Sequence, residues 1–355
     1  MATPIETSPM ETSLASRPGD GLPGGPPKPG RRQRRAAIGT SQLPRPETTA
    51  PPKILWPYCI SLGLYHALAL LACVPWLFSW TGVTLTALGL YVFGTLGINL
   101  CYHRLLTHRG LACPLWLEHL FAVLGVCCLQ DTPGRWVSIH RMHHQFSDER
   151  PDPHSPLVAF FWGHMGWLLL ENRELNSVLT YDRYARDVLK DPFYFAFERN
   201  LLWFWVNLAQ GALFYLAGFA TGWATSGDVM GGAQFGLSLL VWGVILRTVL
   251  VWHITWSVNS LSHIWGYRNY ETNENSRNNW FVALISNGEG WHNNHHADQR
   301  SASHGHRWWE FDVTYLTIVL LEKLGLAHDV VRPSAKMTHD PRPMTNDQRP
   351  TTNDP

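Results

Sequence analysis

Long apolar stretches dominate the hydrophobic pattern of the chain. Four of them carry few or no charged side chains, and each is close to the roughly 20 residues of helix needed to cross a bilayer core of about 30 Å. They cover residues 54–78, 83–101, 201–221 and 232–255. The pattern therefore predicts an all-α integral membrane fold with four transmembrane helices.

The connections between these stretches predict two hairpins. A short turn at residues 80–82 joins the first pair, and a loop with Asp228 but no Lys or Arg joins the second pair. Arg is frequent in the N-terminal tail, in residues 102–200 and after residue 259. Because positively charged segments stay on the cytoplasmic side, we expect both termini and both large polar segments there, the latter forming a helical cap.

Two shorter apolar pieces, residues 115–129 and 157–170, interrupt the polar segment. The first is short for a membrane span, and the second contains His164. We interpret both as interfacial or re-entrant helices beneath the cap. If the first piece did span the membrane, the histidine clusters described below would lie on opposite sides.

The ends of the chain are polar. Residues 1–52 are rich in Pro, Gly, Ser, Thr and Arg without an apolar run, which predicts a disordered tail. Residues 331–355 are predicted to be a flexible tail, which leaves residues 53–330 for the membrane domain. Four arginines of the N-terminal tail are interpreted as a cytoplasmic anchor: Arg31, Arg32, Arg34 and Arg35.

Composition adds two constraints. The chain of 355 residues is 45% hydrophobic and 15% charged, enough for one sizeable domain, and its net charge of +1 argues against nucleic acid as a partner. All six cysteines precede position 130 without a CxxC pair, so we interpret them as reduced packing residues.

The strongest chemical signal is histidine. Eight of the eighteen histidines form the clusters HRLLTH, HRMHH and HNNHH: His103, His108, His140, His143, His144, His292, His295 and His296. Since positions i, i+3 and i+4 share one helix face, each HxxHH motif is predicted to aim three imidazoles at one point. Five residues turn an α-helix by about 140°, so His103 and His108 need a local irregularity or must bind different metals.

These clusters predict a metal site. Eight imidazoles on one side of the membrane would be costly to bury without a partner. Imidazole without thiolate suits iron, copper, nickel or zinc, and one tetrahedral zinc needs only about four ligands. The supply of histidines therefore indicates two metals.

A fourth piece, WSVNSLSH, ends the last apolar stretch. It provides His263 as a ninth candidate ligand, and Asn259 as a side chain that can hold a metal-bound water. The alternative is that both are ordinary polar groups at a helix end. His154 could orient a ligand through Asp152, or it could be an ordinary loop residue.

The motifs HRLLTH, HRMHHQFSDERPDPHSP, WSVNSLSH and GEGWHNNHH, in this order, resemble the membrane fatty acid desaturase family. The resemblance covers about residues 55–330 and is strongest to the stearoyl-CoA (delta-9) desaturase-like branch, especially its bacterial members. It implies four membrane helices under a cytosolic cap, two irons bound by the nine histidines, and Asn259 on a metal-bound water. It also implies that Gln130, Trp136 and Thr255 shape an acyl tunnel.

The resemblance implies that O2 and two electrons remove two hydrogens from a saturated acyl chain and leave a cis double bond. Acyl-CoA is the first expectation for the carrier, although family members acting on lipid-bound chains share the motifs. We expect no fused cytochrome b5 domain, so a ferredoxin or a cytochrome b5-like protein would deliver the electrons. The expected location is a bacterial inner (plasma) membrane rather than the endoplasmic reticulum.

Arginines near the clusters have two interpretations. Arg104, Arg109, Arg135 and Arg141 could receive an anionic head group such as the phosphates of coenzyme A. They could equally pair with carboxylates, such as Glu289, and brace the cap.

Two other functions remain open at this point. A histidine-box lipid or alkane hydroxylase would use similar metal chemistry and return a hydroxyl group to the substrate. A membrane protein that binds or transports metal without catalysis is the alternative from another class, but transport sites lie near the membrane midplane, whereas these clusters lie at the ends of the stretches.

Overall fold

The computed structural model describes residues 42–334, which form helices and isolated β-bridges without a named strand. The α-helices of this part of the chain are α1 Trp56–Ala69, α2 Trp80–Gly89, α3 Leu115–Val126, α4 Pro133–Phe146, α5 Phe160–His164, α6 Val178–Tyr184, α7 Arg186–Leu189, α8 Pro192–Arg199, α9 Leu202–Ser226, α10 Val229–Leu240, α11 Arg247–Ser260, α12 Trp280–Ile285, α13 His292–Ala297 and α14 Val313–Lys323. The predicted all-α fold class is confirmed.

Four helical stretches are long and apolar enough to cross a membrane. They are span 1, Trp56–Cys73; span 2, Trp80–Thr107; span 3, Leu202–Ser226; and span 4, Val229–His263. The chain is therefore a multi-pass membrane protein. Spans 2 and 4 contain π-helix, over Leu90–Thr107 and Val241–Leu246.

The boundaries differ from the sequence prediction by five residues or more at four ends, one of which is the end of span 3 at Ser226 instead of residue 221. Span 1 stops at Cys73 instead of residue 78, because Pro75 cannot donate a backbone hydrogen bond and opens a separate 3-10 turn. Spans 2 and 4 continue past residues 101 and 255 to Thr107 and His263. Their polar ends remain helical because they are buried in the cap, a tertiary effect that hydropathy does not report.

The second predicted hairpin is closely packed. A Cβ atom at Gly218 of α9 would lie 2.9 Å from the Cα of Gly236 in α10, so glycine lets the two backbones approach. Span 1 packs mainly against the π-helix Val241–Leu246 and against α11. Span 4 therefore lies between the first and third spans.

The two shorter apolar pieces do not form spans. Helix α3 has 12 residues, exposes Trp116 and Leu120, and packs on the π-helix of span 2. The piece at 157–170 is broken into the five-residue α5 and the 3-10 turn Gly166–Leu168. Their lengths agree with the predicted place beside the cap.

Residues 42–52, which the sequence analysis assigned to a disordered tail, contact the cap. The amide of Leu43 donates to the carbonyl of Leu157 at 3.0 Å, and Thr48 donates to Asn172 at 2.6 Å. Polar backbone and side chains make these contacts, so a search for apolar runs does not detect them. The basic run Arg31–Arg35 and residues 335–355 lie outside the described residues.

Close packing between span 2 and α3 gives a stability prediction. A Cβ atom at Gly97 would lie 2.4 Å from the backbone nitrogen of Gly125, so Gly97→Val must separate the helices. We expect a loss of about 1–3 kcal/mol or more, seen as a lower Tm of the solubilised protein. Gly63→Val is the control, because a Cβ there meets nothing within 4 Å. Equal Tm values for both variants would contradict this account of the packing.

Candidate metal centre

All nine histidines predicted as ligands meet in the structure, in two adjacent groups. In each group, one ligand atom per residue lies within 4.8 Å of the others. Group A contains His103, His108, His140, His144 and His295. Group B contains His143, His263, His292 and His296.

A π-helix brings the first two histidines together. The amide of His108 donates to the carbonyl of His103, a five-residue step, and the two ring centroids are 4.8 Å apart. The wider π-turn corrects the angle of about 140° that an α-helix would impose. The expected local irregularity is therefore present, and both residues belong to group A.

The HxxHH motifs do not each aim at one point, which corrects the sequence prediction. On α4, His140 and His144 face group A, whereas His143 faces group B. Helix α13 has the reverse arrangement, with the pair His292 and His296 in group B and His295 in group A. Positions i and i+4 differ by about 40° around a helix and i+3 lies on the other side of i. A helix that lies between the two groups therefore directs its i and i+4 rings into one group and its i+3 ring into the other.

The spacing of the ring nitrogens fits bound metal ions. Five Nε2–Nε2 distances within the groups are 3.0–3.1 Å, including His103 to His295 and His263 to His292. With metal–nitrogen bonds of about 2.1 Å, ligands at right angles lie about 3.0 Å apart and tetrahedral ligands about 3.4 Å apart. Each of the two groups can thus hold one metal ion.

Burial prepares these rings for metal. It lowers the pKa of His140, His144, His292, His295 and His296 well below the usual value, with the neighbouring imidazoles acting in the same direction. The neutral imidazole is the form that binds a metal. These five rings therefore need not lose a proton to bind a metal.

Three carboxylates orient ligand rings from behind. Glu289 accepts from Nδ1 of His103 at 2.6 Å, and Asp148 accepts from Nδ1 of His263 at 2.9 Å. Asp152 lies 3.0 Å from Nδ1 of His143. Such partners fix the tautomer, so that Nε2 presents its lone pair to the metal.

The charge on one of these carboxylates is stabilised locally. Burial alone would raise the pKa of Asp148, but His263 and hydrogen bonds from Ser155 and the amide of Asn275 outweigh it and keep that pKa below its usual range. Asp148 therefore remains an anion behind the ligand.

Sequence reasoning assigned other partners to these carboxylates. The ring of His154 stacks on His143 with centroids 4.4 Å apart, but its Nδ1 is 3.9 Å from Asp152, too far for a hydrogen bond. The Glu289 carboxylate was considered only as an arginine partner, although it precedes HNNHH by three residues. His304 was not among the candidate ligands. Its ring centroid lies 4.3 Å from that of His295, and its Nδ1 lies 3.3 Å from Glu289.

The four arginines considered for an anionic head group all contact carboxylates. Arg104 is buried and pairs with Glu289 and Asp312 at 2.8 and 2.9 Å. The remaining contacts join Arg109 and Arg141 to Asp187, and Arg135 to Asp131. The structure therefore supports the bracing interpretation.

Three further histidines form a separate string inside the membrane region. His253 lies 3.0 Å from both His66 and His164 through its two ring nitrogens. These rings contact one another and take no part in either group.

A cavity of about 1060 Å³ begins at the histidine groups and extends between the spans. Its lining includes all three predicted tunnel residues, and the amide of Gln130 donates to Thr255 at 2.9 Å. Trp136 stacks on His140 with ring centroids 4.9 Å apart. Asn259 also lines the cavity, as does His292.

The fold and the site define a class: an integral membrane protein whose buried histidine groups fit two metal ions. The fatty acid desaturase family model matches residues 75–315. The chain belongs to the fatty acid desaturase family and is a membrane fatty acid desaturase.

Named relatives differ in their substrates. An "sn-1 stearoyl-lipid 9-desaturase" from Synechocystis sp. is 40% identical over 78% of this chain and 80% of its own length. An "sn-2 palmitoyl-lipid 9-desaturase" from Nostoc sp. is 40% identical over 83% and 96%. An acyl-CoA 5-desaturase from Anemone leveillei is 42% identical over 78% and 79%. The carrier and the bond position therefore need a separate argument.

Removing one ligand should empty one group only. We expect His296→Ala to retain about one metal ion where the parent protein holds about two, because group B then keeps three nitrogens, fewer than the roughly four that a metal needs, while group A keeps all five. Metal analysis of purified protein is the measurement, and His66→Ala, outside both groups, is the control. Full metal content in His296→Ala would remove this residue from the ligand set.

Removing one orienting charge should weaken metal binding without abolishing it. For Asp148→Asn, we expect about 10–100-fold weaker retention of the group B metal in competition with a chelator. Asp187→Asn is a matched control, since Asp187 pairs with two arginines at the surface. Equal retention in both variants would show that Asp148 does not support His263.

Proposed function

We propose that this desaturase introduces a cis double bond into a saturated fatty acyl chain, using O2 and two electrons from an external donor. The observation that carries the proposal is the cavity, which connects a long apolar space between the spans to the rings of His103, His140 and His292. A chain bound there would place its methylenes beside both groups.

The nine histidines are proposed as ligands of two irons, five in group A and four in group B. When bound, the irons would supply the oxidation of unactivated C–H bonds, which side-chain acids and bases cannot perform. Imidazole ligands without thiolate are compatible with iron, and the family to which the chain belongs supports that choice. Asn259 lines the same cavity as His292 of group B and is proposed to hold a metal-bound water there.

The protein's part is to position the chain and exclude water. The hydrogen bond from Gln130 to Thr255 and the stacked rings of Trp136 and His140 hold the cavity wall in one arrangement. A fixed wall selects which carbons lie at the metals, so the bond position follows from the distance between the cavity mouth and the histidines. Two of the relatives named above are 9-desaturases, which supports delta-9 as the proposed position.

The orientation is also proposed. The arginine-rich segments support a cytoplasmic cap, with both termini and the metal centre on that side of a bacterial inner membrane. Residues 53–330 would form the membrane domain. A ferredoxin or cytochrome b5-like protein would then deliver electrons to the cap from the cytoplasm.

Product analysis tests the reaction. Expression in a desaturase-deficient host should yield new monounsaturated fatty acids with a cis bond at carbon 9, identified by gas chromatography–mass spectrometry of derivatised methyl esters. His143→Ala should reduce this product to background while its membrane content stays normal, because the spans lie elsewhere. Hydroxy fatty acids without a new alkene would instead indicate a hydroxylase.

A further inference from the structure

The cavity is not enclosed on its membrane side. Its lining includes Pro57 and Ser61 of span 1 and Phe204, Leu208 and Ala212 of span 3, all of which are exposed. Leu208 is 53% exposed while it also lines the cavity. Residues that are both lining and exposed mark the rim of an opening, so the cavity opens sideways between spans 1 and 3.

The packing of the spans accounts for the opening. Span 1 packs on the π-helix and α11 of span 4. Span 3 packs on α10, which is the first part of span 4, and on the cap. The two rim helices are therefore held apart by span 4.

The opening reaches into one leaflet of the bilayer. Along span 1 the lining runs from Pro57 to Leu68, about 17 Å of helix. This is about half of a hydrocarbon core of about 30 Å. An acyl chain of a lipid in the leaflet next to the cap lies at this depth.

The polar groups at the start of both rim helices do not favour a polyphosphate. Tyr58 donates to Asp131 at 2.5 Å, and Glu198 accepts from Thr132 at 2.6 Å. Among the described residues that line the cavity, Arg135 is the only Lys or Arg, and it pairs with Asp131.

The balance of charge at this mouth is therefore not positive. Burial raises the pKa of Glu198, and its carboxyl group has no attraction for phosphate in either protonation state. The phosphate groups of coenzyme A would find carboxylates there and no free cation. The hydroxyl and ester groups of a lipid would find hydrogen-bond donors and acceptors at this mouth.

We propose that the substrate is an acyl chain still esterified in a membrane glycerolipid without net negative charge, which enters sideways between spans 1 and 3. This proposal rests on the proposed desaturation and replaces the first expectation of acyl-CoA as the carrier. The head group would stay at the mouth formed by Tyr58, Asp131 and Glu198. The chain would reach the histidines without leaving the bilayer.

Photolabelling tests the route without turnover. The full-length protein in bilayers receives either phosphatidylcholine or acyl-CoA, each with a diazirine in the stearoyl chain. We expect phosphatidylcholine to label cavity peptides containing Gln130 or Thr255, and acyl-CoA to label them at least about tenfold less, a difference of about 1.4 kcal/mol in binding.

Substitutions at the rim locate the entrance. Ala212→Trp should fill the opening and reduce lipid labelling of these peptides about tenfold. Leu213→Trp is the matched control, because Leu213 is 66% exposed on the same helix without lining the cavity. Strong labelling by acyl-CoA but not by lipid, or unchanged lipid labelling in Ala212→Trp, would overturn the proposal.

The same sample separates this proposal from the proposed function. Lipid labelling in the cavity, together with no double bond after iron loading and addition of a reductant, would count against desaturation alone. Desaturation of acyl-CoA by protein that does not label with lipid would count against the lateral route alone.

Discussion

The interaction on which the structure depends is the convergence of nine imidazole rings on two small volumes. Neutral rings with nitrogens about 3 Å apart, such as those of His144 and His295, cannot all satisfy one another by hydrogen bonds. Their burial is reasonable only with metal ions between them. Every element that carries one of the nine candidate ligands must therefore end, bend or extend so that its ring reaches one of the groups.

This requirement explains the irregular helices. Span 2 widens into a π-helix and carries His103 and His108 to one group, and span 4 ends in a 3-10 turn at His263. Buried carboxylates then hold the rings in place. Arg104 ties Glu289 to Asp312, so the support of His103 extends across the cap. The same ion pairs therefore hold the ligand rings and brace the cap.

The cavity follows from the same arrangement. Span 4 delivers His263 to the cap and keeps spans 1 and 3 apart, which leaves an apolar space that starts at the metal centre and faces the bilayer. Trp136 belongs to both the cavity and the metal centre, because it lines the cavity and stacks on the ring of His140. Metal ligation and access to lipid are therefore consequences of one helix packing pattern.

The sequence by itself predicted the four apolar spans and eight of the nine candidate ligands, because hydropathy and the spacing of the histidine motifs are local properties of the chain, whereas His263 rested mainly on the family resemblance. It also indicated that His103 and His108 need an irregular helix. Only the tertiary structure decided how the HxxHH motifs divide between the groups, since this depends on the rotation of α4 and α13 relative to each other. The same holds for the bond between His103 and Glu289 and for the lateral opening, which join residues far apart in the chain.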